Sequence, residues 1–150
     1  MVVCTFFGHR DSPEHLQDAL SAAIKQAILK YHVDTFYVGN HGRFDAMALH
    51  ALKEAQKMFP HISYSVVLAY FPTEQTNTLY EHTLYPEGLE TVPKKFAISF
   101  RNKWMVAQAD VIIAYITRTH GGAAQFVRLA QRKGKPVIWL ASPPENSDSV

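Results

Sequence analysis

Residues 5–11 read Thr-Phe-Phe-Gly-His-Arg-Asp, TFFGHRD. An apolar run that begins at Val2 stops on Gly8, and three polar side chains follow at once. Short, β-branched and aromatic, Val2–Phe7 is the pattern of a strand buried on both faces. Glycine at its end lets the backbone come close to something else. Ser12-Pro13 comes next and predicts a helix N-cap followed by proline at the first helical position.

Working outward, the same unit repeats. Leu16, Leu20, Ala23, Ile24, Ala27 and Ile28 recur at three- and four-residue steps and predict a helix with one apolar face. Thr35–Val38 reads as a second strand, ending at Gly39. Phe44–Phe59 reads as a helix stopped by Pro60, and Ser63–Tyr70 as a third strand. Thr73–Pro93 has no clear period and carries Pro86, Gly88 and Pro93, so it predicts a long loop. A helix over Phe96–Ala109, a strand over Asp110–Ile116, a helix over Gly122–Lys133 and a strand over Pro136–Leu140 complete the pattern. Alternating strands and helices predict an α/β fold: a Rossmann-like, three-layer α/β/α sandwich around a mainly parallel sheet of about five strands. The expected organisation is one domain over 1–141 and a polar tail over 142–150.

In such sheets ligands bind beyond the carboxyl ends of the strands. Three strand-to-helix loops there carry glycine: Gly8 to Asp11, Gly39 to Asp45 (GNHGRFD), and Thr117 to Ala123 (TRTHGGA). Glycine permits close approach, and a helix N-terminus offers free N–H groups and partial positive charge, so together they predict a phosphate cradle. Its expected members are Gly8, His9, Arg10, Gly39, Asn40, Gly42, Asp45, Thr119, Gly121 and Gly122. Arg10 suits bidentate phosphate binding. His9 either donates to a ligand or fills its turn, Asn40 and His41 either line the pocket or form the turn, and His120 is a further candidate.

Composition sets bounds. The chain has 150 residues, 47% hydrophobic, with formal net charge +2. That suffices for one core and permits an anionic ligand without demanding nucleic acid. The single Cys4 excludes an internal disulfide and fits a reducing compartment. The eight histidines form no helical metal-binding pair, so no metal site is expected. No apolar run reaches the ~20 residues of a membrane helix, and Met1–Phe7 lacks the features of a signal segment. A cytoplasmic protein with no membrane partner is the expectation.

The three loops resemble the SLOG superfamily, the Rossmann-like group that includes LOG phosphoribohydrolases, DprA and YpsA-like proteins. The match to the YpsA-like branch rests on Gly8-His9-Arg10, on GNHGRFD from Gly39 to Asp45, and on the arginine helix at Arg101 that precedes Gly121-Gly122. Arg101, Met105, Ala109 and Asp110 also fall in the register of the LOG arginine helix, which implies that Arg101 contacts a phosphate or ribose. The resemblance further implies pairing into a homodimer, with the Phe96–Phe100–Trp104 stripe and the long loop as the expected surface. After the next strand the sequence departs: Arg128 stands where LOG enzymes carry a catalytic glutamate, and an arginine cannot act as a base. Catalysis is therefore an open question, with Asp45 and Glu87 as replacement acids. Asp45 alternatively holds a ribose hydroxyl or serves the helix dipole. Asp110, remote from the ligand edge, reads as structural.

Three functions follow, in order. The first is a sensor or carrier that binds a nucleotide-derived small molecule, a nucleoside phosphate or an ADP-ribose-like compound, without a further cofactor. The second is a hydrolase of an N-glycosidic or phosphate bond using a noncanonical acid. The third is single-stranded nucleic-acid binding through Lys94, Lys95, Arg101 and Lys103.

Overall fold

The computed structural model describes residues 1–142. Six strands form one fully parallel sheet: β1 (Val3–Gly8), β2 (Thr35–Val38), β3 (Ser63–Val67), β4 (Thr83–Leu84), β5 (Val111–Tyr115) and β6 (Val137–Trp139). Their order is β4-β3-β2-β1-β5-β6. The chain winds outward from β1 in one direction as far as β4, then returns to the other side of β1 with β5. The winding reverses between β1 and β5, which are in register from Cys4↔Val111 to Gly8↔Tyr115.

Among the described residues four α-helices cover the sheet, α1 (Gln17–Tyr31), α2 (Arg43–Met58), α4 (Ala97–Gln108) and α5 (Gly122–Arg132), and a short fifth, α3 (Glu74–Leu79), lies exposed between β3 and β4 in the chain. Alternation along β1 divides the core. Cys4 and Phe6 point into a cluster with Leu20, Ile24, Ala27, Ala48 and Leu52 of α1 and α2. Val3 and Phe7 point the other way, to Met105, Val106, Phe126 and Val127 of α4 and α5. Side chains of a strand alternate between faces, so these consecutive phenylalanines join opposite layers to the sheet. Phe6 stacks with Phe36 at 6.0 Å and Phe7 with Phe126 at 5.8 Å. Cys4 is fully buried, and burial pushes its thiol pKa upward.

The expected sheet of about five strands counts six among the described residues, since Thr83–Leu84 adds a short edge strand beside β3. Two expectations need correction. The segment Thr73–Pro93 is not a plain loop, since it also holds α3 and a 3-10 turn at Leu89–Thr91. α3 has no buried residue, so no apolar period betrays it. Its start is set locally: the Thr73 hydroxyl accepts from the Thr76 N–H while the Thr76 hydroxyl accepts from the Thr73 N–H. Finally, Ser12 is not a helix cap. Its hydroxyl donates to the His9 carbonyl, and Pro13 leads into a 3-10 turn at Glu14–Leu16 that precedes α1. Of the tail expected at 142–150, residues 143–150 lie outside the described residues.

Candidate functional site

A cavity of about 390 Å³ opens at the carboxyl ends of β1 and β5, where the winding reverses. Gly8, His9, Arg10, His41, Asp45, Arg101, Arg118, Gly121 and Gly122 line it, with Phe6, Phe7, Ile98 and Met105 as its apolar part. Three loops and one helix therefore meet there.

Two helices begin at this rim without side-chain caps. Gly42 (φ 92°) precedes α2 and Gly121 (φ 97°) precedes α5, both in a region that L side chains rarely adopt. A Cβ on Gly42 would lie 2.8 Å from the Arg10 Cα, so the first and second loops interlock there. The Arg43 N–H fastens the same junction by donating to the Arg10 carbonyl at 2.9 Å. Around Gly121 and Gly122, by contrast, added Cβ atoms would meet nothing within 4 Å. The N-terminus of α5 thus faces open space in the cavity.

Gly8 is constrained by contact alone. A Cβ there would lie 2.3 Å from the ring of Phe44, which is 1% exposed. Gly8→Ala is therefore expected to destabilise the fold by about 1–3 kcal/mol through overpacking. Thermal denaturation should show most of that loss recovered in the Gly8→Ala/Phe44→Leu double variant, and equal losses with either residue at 44 would contradict the contact.

Arg101 is the buried centre of the site, 2% exposed. Its Nη1 donates to the Val67 carbonyl at 3.0 Å and to Asn40 Oδ1 at 3.2 Å. Its Nε donates to Asn102 Oδ1 at 2.8 Å, and Nη2 to His41 Nδ1 at 3.2 Å. Arginine has no acceptor, so Nδ1 of His41 must be the bare nitrogen and Nε2 carries the proton. In the same way the Thr117 N–H donates to Nε2 of His9 at 3.0 Å, tying the third loop to the first. Gly39 leaves room for this packing, since a Cβ on it would lie 2.7 Å from Asp45 Oδ2 and 3.1 Å from the Arg101 guanidinium carbon.

Arg10 is different. It is exposed, it lines the cavity, and its side chain makes no hydrogen bond or ion pair among the described residues. Arg118 lines the same mouth and pairs with Asp11 at 3.2 Å on the surface, an ion pair that contributes little stability.

Asp45 accepts the His41 N–H at 3.0 Å. Burial pushes its pKa up to about 6, against that hydrogen bond and the charges of Arg101 and Arg10. Burial also pushes His41 down to about 4, and the same two arginines add to the effect. The signs oppose. The raised Asp45 pKa favours the fold below pH 3.8, an advantage lost as pH rises through about 6. The lowered His41 pKa favours the fold above pH 6.5, an advantage lost as pH falls towards 4. Asp45→Asn leaves the histidine slope uncompensated. Its melting temperature relative to the parent should be highest at pH 7 and decline towards pH 4, and a pH-independent offset would contradict this.

Not every expected residue reaches the cavity. Gly39 sits behind Arg101 and Asp45, while Asn40 and Gly42 line a separate hollow of about 190 Å³ with Ala46, Leu49, His50, Lys53 and Tyr80. The Thr119 carbonyl accepts from Arg128 Nη1 at 2.6 Å; neither residue lines the cavity, nor does exposed His120. Glu87 is exposed on the far loop and lies outside it, so of the two replacement acids only Asp45 is present. Asp110 is structural: its Oδ2 accepts the Val3 N–H at 2.9 Å. Arg118, Asn102 and the apolar Ile98 are lining residues that the sequence does not single out. Arg118 was accessible from its place in the third loop, but nothing in the order of residues shows which side of that loop faces inward. Among the described residues no group of histidine, cysteine and acidic side chains is arranged to hold a metal ion.

Fold and cavity together define a Rossmann-like α/β protein whose open crevice lies at the switch point of a parallel sheet. Solved structures share this Rossmann-like architecture, and the likeness is one of fold. DNA processing protein A (DprA) from Streptococcus pneumoniae superposes with a TM-score of 0.69 at 14% identity, over 93% of this chain and 50% of that one. DprA from Helicobacter pylori, studied for its single-stranded DNA binding mode, gives 0.65 at 18% identity, over 98% of this chain and 67% of that one. The molybdenum cofactor carrier protein of Chlamydomonas reinhardtii gives 0.60 at 17%, over 93% and 76%. The chain thus spans half the length of the pneumococcal protein. No protein-family model and no curated protein matches the sequence. Among the described residues, no helix is long and apolar enough to cross a membrane.

Proposed function

We propose that this protein binds a nucleotide-derived, phosphate-bearing small molecule, a nucleoside phosphate or an ADP-ribose-like compound, and acts as a sensor or carrier. One observation carries the reading: the α5 N-terminus, which no side chain caps, and Arg10, whose side chain makes no hydrogen bond or ion pair among the described residues, line the same open cavity. Backbone N–H groups and a fork of charged donors are two means by which proteins hold phosphate. The solved relatives support binding as the shared theme, since one carries a molybdenum cofactor and another binds single-stranded DNA. Assignment to a YpsA-like branch, pairing into a homodimer and residence in the cytoplasm belong to the same proposal.

Thermal shift with AMP and ADP-ribose tests it. Ligand at a hundred times its Kd stabilises by about 2.7 kcal/mol, a rise of several degrees for a chain of this size. Arg10→Ala should abolish the rise while leaving the unliganded melting temperature in place. No shift with either compound at millimolar concentration would overturn the reading.

A hydrolase is the second reading, favoured by Asp45, whose pKa near 6 suits proton transfer at neutral pH. Release of free base from nucleoside monophosphates, lost in Asp45→Asn, is its signature. Nucleic-acid binding is third, favoured by the likeness to the DprA proteins, and steep salt dependence would mark it.

A further inference from the structure

We infer that Tyr70 and Phe71, in the loop leaving β3, form a stacking platform for the base of the nucleotide whose phosphate the cavity accepts. This rests on the proposed function and adds a second subsite to it.

β3 ends at Val67 on the same sheet edge as Gly8 and Tyr115, so its loop emerges at the rim of the cavity. There two large rings follow one another in the open: Tyr70 is 39% exposed and Phe71 75%. Both are oriented by a neighbouring ring. Tyr70 meets His41 edge-on at 5.9 Å, and Phe71 meets Tyr85 at 5.6 Å with an interplanar angle of 71°. Rings held in this way lose little freedom when a planar ligand settles on them.

The platform adjoins the phosphate cavity. His41 is both a neighbour of Tyr70 and part of the cavity wall. Lys94 Nζ lies over the Tyr70 ring, 5.6 Å from its centroid, so the more exposed Phe71 offers the freer face. Exposed aromatic rings next to a polar anion pocket and a cation match a molecule with one flat apolar end and one charged end. Base–aromatic stacking tolerates any base, so the platform selects for a nucleobase over a bare sugar phosphate without choosing which base.

Calorimetric titration of the full chain with AMP and with ribose 5-phosphate separates the two subsites. AMP should bind about tenfold or more tightly than ribose 5-phosphate, the size of one base–aromatic stack. In Tyr70→Ala/Phe71→Ala the AMP advantage should vanish while ribose 5-phosphate binds unchanged. Phe71→Ala alone, at the more exposed ring, should reduce it, and Phe71→Trp should preserve it. Arg10→Ala should weaken both ligands alike. If the double variant keeps the AMP advantage, the base lies elsewhere and the inference is overturned, though the phosphate site stands. If the double variant changes the oligomeric mass and not the ratio of affinities, the rings are a contact between copies and the inference is again overturned. If the parent protein binds neither compound, the phosphate site and the platform fail together.

Discussion

Arg101→Met is expected to lower the melting temperature by roughly 10 °C, the consequence of about 3–5 kcal/mol lost when several buried acceptors lose their donor. Methionine fills the space but donates nothing. The Val67 carbonyl, Asn40 Oδ1 and His41 Nδ1 would each lose the N–H that now reaches them. An unmatched buried acceptor costs about 1–3 kcal/mol, less where water can enter. Val67 lies on a fully buried strand end, so its carbonyl suffers most. Arg101→Lys should fall between the two, because one ammonium cannot span partners on β3, on the second loop and on α4. Circular dichroism melts of the three proteins check the order. A methionine variant as stable as its parent would mean that the network does not hold the second loop in place and that the arginine is present for ligand alone.

That arginine also shows where sequence reading reaches its limit. The resemblance to the LOG arginine helix implies a site role for it, and it lines the cavity. Its burial among residues 40, 41, 67 and 102 could not be read, because those neighbours come together only when the sheet forms. The parallel sheet itself was legible. Val2–Phe7 and Asp110–Ile116 are apolar without alternation, as strands covered on both faces must be, and glycines or prolines punctuate each unit. α3 and β4 were illegible for the converse reason. Six exposed residues carry no period, and two residues are too few to show one. The capping box at Thr73 escaped because Thr76 stands where glutamate or glutamine usually completes the motif. Within the cavity wall, Gly8 is legible as a strand-end glycine, Gly121 as a glycine before a helix and Arg10 by its charge. The partition of the second loop between two hollows was not, since it turns on the direction in which Asn40 and Gly42 face.

Gly122→Asp is expected to separate stability from binding in opposite directions. Gly122 is the first residue of α5, its φ is not in the left-handed region, and a Cβ there would meet nothing within 4 Å. The new side chain therefore fits. A carboxylate in the first turn interacts favourably with the helix dipole, by about 0.3–1 kcal/mol, and loss of glycine flexibility in the unfolded chain adds a similar amount. The melting temperature should rise by a few degrees. The same carboxylate would stand where the α5 N–H groups are free to receive a ligand phosphate. Like charges brought together in this way cost several kcal/mol, so binding of AMP should weaken by about a hundredfold or more. Gly122→Ala supplies the control: it carries the gain in chain stiffness without the charge, and should bind AMP nearly as well as the parent. A Gly122→Asp protein that is more stable and still binds AMP would show that the phosphate does not rest on α5, and Arg10 with Arg118 would then have to hold it from the opposite lip of the crevice.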